Sequence, residues 1–104
     1  MTTSATPNPF EPLVDATRAD ELDENRTMIL DLARSSEDPA LMIHVRAVAF
    51  ADELLFVHEA MAEVHRETGK IQSAKDEANL AEMSRQLALH HLDMLDRYLF
   101  SSQH

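Results

Sequence analysis

Histidine is the residue type in this chain with the most chemistry to offer, and its spacing is regular. His44, His58 and His65 recur at multiples of seven. That spacing puts them on one stripe of a helix. His91 holds the same kind of position on the following helix. An imidazole can ligate a metal, move a proton or respond to pH near neutrality. All four sit where helical periodicity asks for an apolar core residue. Burying an imidazole is costly unless a partner satisfies it.

A second stripe, Glu77, Ser84, His91 and Tyr98, runs along that next helix. If the connecting turn centres near Ile71, His65 lies level with Glu77, His58 with Ser84, His44 with Tyr98 and His91 with Ala51. The expectation is a buried polar ladder of His44, His58, His65, Glu77, Ser84, His91 and Tyr98. The favoured reading is a set of satisfied core histidines that fix register and partner choice. A metal or cofactor site is the second reading, with His44, His58, His65, Glu77 and His91 as candidate ligands, since bundle interiors host such sites. A pH-responsive interface is the third.

The metal reading meets specific objections. No Glu-x-x-His pair of the ferritin-like kind is present, and no histidines stand four apart. His58 and His65 would be about 10 Å apart along a helix axis, too far to share one ion. His91 and Asp96 share a spacing seen in hemerythrin-like chains, but the rest of that ligand pattern is missing. Any metal site would therefore lie between helices or between subunits. There is no phosphate-binding glycine loop and no Gly-x-Ser-x-Gly turn. No catalytic residue and no particular cofactor emerge.

The elements that must position these residues are helical. Gly69 is the only glycine, no proline follows Pro39, and Ala, Leu, Glu and Met are common. Residues 1–14 hold three prolines and read as an irregular, flexible arm; 15–104 read as a single helical domain. Helix 1 is expected from about 16 to 35, with Leu22, Met28, Ile29, Leu32 and Ala33 on its apolar side. Asp38 and Pro39 suit the start of helix 2, which Gly69 ends. Ser73 to Asp76 resembles a capping box, placing the start of helix 3 near 74 and its end near 100. On helix 2, Ile43, Ala47, Phe50, Leu54, Val57, Met61 and Val64 alternate spacings of four and three, a heptad seam. Leu41, Val48, Leu55 and Ala62 form a second apolar row.

Composition bounds the function. The 104 residues carry a formal net charge of −10. That repels nucleic acid and anionic lipid and favours a basic protein partner, if any. There is no cysteine, hence no disulfide or thiol chemistry. No apolar run approaches the ~20 residues needed to span a bilayer, and no signal peptide is visible, so a cytoplasmic location is expected. The whole reads as an all-α protein: an arm, a short first helix and a long antiparallel hairpin. Helix 1 is too short to cover the hairpin's apolar surface. The seam of Ile43, Phe50, Leu54, Val57, Met61 and Val64 is therefore assigned to a homodimer that completes a larger bundle. The expected function is a non-enzymatic protein-interaction module, an adaptor, small chaperone or regulatory subunit. A metal- or cofactor-binding helical oligomer is the alternative.

Overall fold

The computed structural model describes residues 12–101. Three helices follow in order: α1 (Ala16–Ser36), α2 (Pro39–Glu67) and α3 (Ile71–Ser101). Among the described residues there is no strand. Most of the expected arm lies outside them.

Local chemistry sets the helix ends. Asp15 caps α1 by accepting the Arg18 N–H at 2.9 Å. Asp38 caps α2 by accepting the Ala40 N–H at 2.9 Å, with Pro39 at the first helical position. Gly69 ends α2 with φ 78°, a left-handed conformation that glycine adopts without a Cβ penalty. Its N–H donates to the Arg66 carbonyl and that of Lys70 to the His65 carbonyl, at 3.2 and 2.8 Å, the two bonds of a Schellman turn. The chain is then already aimed into α3. The Ala74 N–H donates to the Lys70 carbonyl at 2.9 Å, so helix is established three residues ahead of the expected start near 74. Ser73 is an interior helical residue rather than a cap.

α2 and α3 pack along their length as an antiparallel hairpin. Ala51, Ala62, Ala74, Ala81 and Ala88 are buried between them, and these small side chains let the helices approach closely. α1 covers the half of the hairpin away from its turn. There Ala19, Leu22, Ile29, Leu30 and Ala33 meet Leu41, Val45 and Val48 of α2 and Leu89, Leu92 and Leu95 of α3. Met28 and Leu32, expected on the apolar side of α1, are exposed. Ion pairs flank this core. Arg18 reaches Asp93 at 2.8 Å and Asp96 at 2.6 Å, Arg26 pairs with Asp52, and Arg85 approaches Asp23 at 3.5 Å.

Candidate functional site

The two polar stripes do meet, one heptad away from the expected register. His44 Nδ1 lies 2.9 Å from His91 Nδ1, and His58 Nδ1 lies 2.6 Å from Glu77 Oε1. The expected pairs His44 with Tyr98, His58 with Ser84 and His65 with Glu77 give way to these two. The cause is the early start of α3. Where two stripes repeat every seven residues, they can face each other only in registers seven apart. Shortening the turn at Gly69 selects the neighbouring one.

The remaining members are placed differently. Ser84 is buried and turns its hydroxyl back to donate to the Leu80 carbonyl at 2.9 Å. Tyr98 is exposed, its ring centroid 6.0 Å from that of His44. The His65 ring makes no hydrogen bond among the described residues. In the single chain only Ser84 of the ladder is buried; His44, His58, His65, Glu77 and His91 are half-buried. The stripe follows the lip of the helix–helix contact rather than its centre.

What lies beside that lip decides what the site can do. At 100° per residue, the seam of α2 is turned nearly opposite Leu41, Val45 and Val48, the residues that meet α1. Ile43 is 66% exposed, Phe50 61%, Val57 46%, Met61 42% and Val64 56%; Leu54 is half-buried. By the same geometry Leu80, Leu87 and Met94 lie on the corresponding flank of α3, with Leu80 exposed and the other two half-buried. The hairpin thus has one face partly covered by α1 and one open face. The open face carries two apolar rows with the His44–His91 and His58–Glu77 pairs between them.

The electrostatics of the two pairs differ. His91 is pushed below the usual histidine range by burial first, then by His44 and His90. The His90 ring is half-buried with its centroid 5.3 Å from that of His91. Among the described residues no carboxylate pairs with His44 or His91, whereas His58 has Glu77. The adjacency of His90 and His91 was visible in the sequence; the approach of His91 to His44 depended on the register.

Other features carry less chemistry. Among the described residues, no three His, Asp or Glu side chains converge on a point where a metal ion could sit. A groove of about 400 Å³ opens where α1 does not reach, lined by Leu55, Ala78 and Ala81 with charged residues around them. Four of those charges are already paired within their helices, Arg66 with Glu63 and Arg85 with Glu82. No described helix is long and apolar enough to cross a membrane. Comparison with known proteins finds no matching family model, curated protein or solved structure. The functional reading rests on the geometry alone.

Proposed function

We propose that this protein is a non-enzymatic interaction module that works through the open face of its hairpin, and that the first occupant of that face is a second copy of the chain. The observation that carries this is the exposure of a complete heptad row, Ile43, Phe50, Val57 and Val64, with Leu54 and Met61 between its members. Heptad spacing is the pattern by which helices pair along a seam. An isolated chain gains nothing from leaving such a row in water. Together with Leu80, Leu87 and Met94, the rows make an apolar strip running along most of the hairpin, the kind of surface that forms the centre of a stable interface of ~800 Å² per partner. A two-fold pair would lay these rows against each other and form a larger bundle. The adaptor, chaperone or regulatory role and a further basic partner are consistent with the acidic surface. A metal-bridged oligomer has weaker support, because its ligands would have to be assembled from two copies.

The test is the mass in solution. Wild type at micromolar concentration is expected to scatter light as a dimer or larger. The Phe50→Asp/Val57→Asp variant should be monomeric with unchanged helical circular dichroism, since neither residue belongs to the core under α1. A monomeric wild type at high concentration would sink the proposal.

A further inference from the structure

We infer that the His44–His91 contact makes self-association through the open face depend on pH, holding the copies together near neutrality and releasing them as the pH falls toward 5.5. The inference rests on the open face being the self-association surface. Its own basis is the contact itself. Two Nδ1 atoms at 2.9 Å can share one hydrogen only if one ring donates and the other keeps a lone pair to accept. The first proton enters at the free Nε2 of the donating ring and places a cation on the lip with no carboxylate paired to it; a second, at the accepting Nδ1, removes the acceptor and sets two cations against each other.

The surroundings offer no compensation. On the α3 side, His91 has His90 beside it, and Tyr98 stands near His44. On the α2 side the facing group is His44 itself. α1 packs on the other face of the hairpin. Among the described residues no Asp or Glu forms an ion pair with either ring. A second copy laid over the face would add desolvation, which disfavours the charged form further. The direction found for His91, below its ordinary value through burial and its two histidine neighbours, agrees. Because the assembled form holds its proton less tightly than the single chain, where His91 already lies below the ordinary value of about 6.5, the stabilisation of the assembly is fully present near neutrality. It is lost as pH falls below the single-chain value and through that of the assembly. The His58–Glu77 pair answers acid differently. Protonating His58 turns that contact into an ion pair and does not break it.

The experiment is sedimentation of the full chain at pH 7.5 and 5.5, with helical circular dichroism recorded at both. The dissociation constant of wild type is expected to rise at least about tenfold between them while helicity holds. The His44→Gln/His91→Gln variant should change less than about twofold over the same interval. A wild type that is monomeric already at pH 7.5 removes the surface reading and this inference with it. A wild type that stays dimeric with unchanged affinity at pH 5.5 overturns the inference and leaves the surface reading standing. If the variant dissociates as wild type does, the control lies in other groups and the inference is wrong. Should the variant fail to fold, histidine ring resonances of wild type decide. The His91 titration must coincide with the dissociation midpoint, and a mismatch overturns the inference.

Discussion

Single residues decide more of this molecule than their composition suggests, and Gln86 is the plainest case. It is buried at 7% exposure on α3, where the apolar pattern gives no reason for an amide. Its Oε1 accepts the Leu13 N–H at 3.1 Å and the Val14 N–H at 3.3 Å, and its Nε2 donates to Glu82 at 3.1 Å. Those two backbone donors precede the α1 cap, so no helical bond can satisfy them. One side chain thereby ties the approach to α1 onto α3. Gln86→Leu leaves the buried Val14 N–H without a partner and should cost about 1–3 kcal/mol in urea unfolding. A cost below about 0.5 kcal/mol would show that water satisfies these donors instead. His58 teaches the same lesson in reverse. Its stripe was readable from spacing, but its partner, Glu77 and not Ser84, depended on a turn seven residues of register away.

At the level of elements, helix identity was legible because caps and punctuation are local. Asp38–Pro39 and Gly69 each announce an end by their own chemistry. The start of α3 was not legible, because Ser73 to Asp76 offers a capping box that competes with a Schellman turn three residues earlier. The turn prevails by aiming the chain directly back along α2. Part of how α1 docks was also hidden, since beside its apolar core it uses charges far apart in sequence. Arg18 clamps Asp93 and Asp96 of α3 from part-buried positions. Burial alone would raise the Asp93 carboxyl, but hydrogen bonds from Arg97 and Arg18, and their charges, hold it below the usual carboxylate range. A depressed carboxyl contributes stability above its unfolded value of about 3.9 and loses that contribution as pH falls through the folded value. Arg18→Ala should cost about 1–3 kcal/mol at pH 7, between the values for exposed and fully buried pairs. It should also reduce the stability lost between pH 5 and 2. Equal acid losses in the variant and wild type would show that the clamp is not what docks α1.

The whole molecule sets its apolar open face against its own charge. Each copy carries a formal net charge of −10, so two copies repel as they approach. The rows that would meet are uncharged, while Asp52, Glu53, Glu59 and Glu63 occupy other positions around α2. Association is then a contest between apolar burial, which salt does not weaken, and a long-range repulsion that salt screens. The screening length falls from about 10 Å at 0.1 M to about 3 Å at 1 M. Self-association should therefore tighten as sodium chloride rises from 0.05 to 0.5 M, with the dissociation constant falling at least about threefold. A complex held by opposite charges, as with a basic partner, moves the other way. Sedimentation across that salt series distinguishes the two. If the dimer of this chain loosens with added salt, ion pairs hold it together, and the exposed row from Ile43 to Val64 is not its interface.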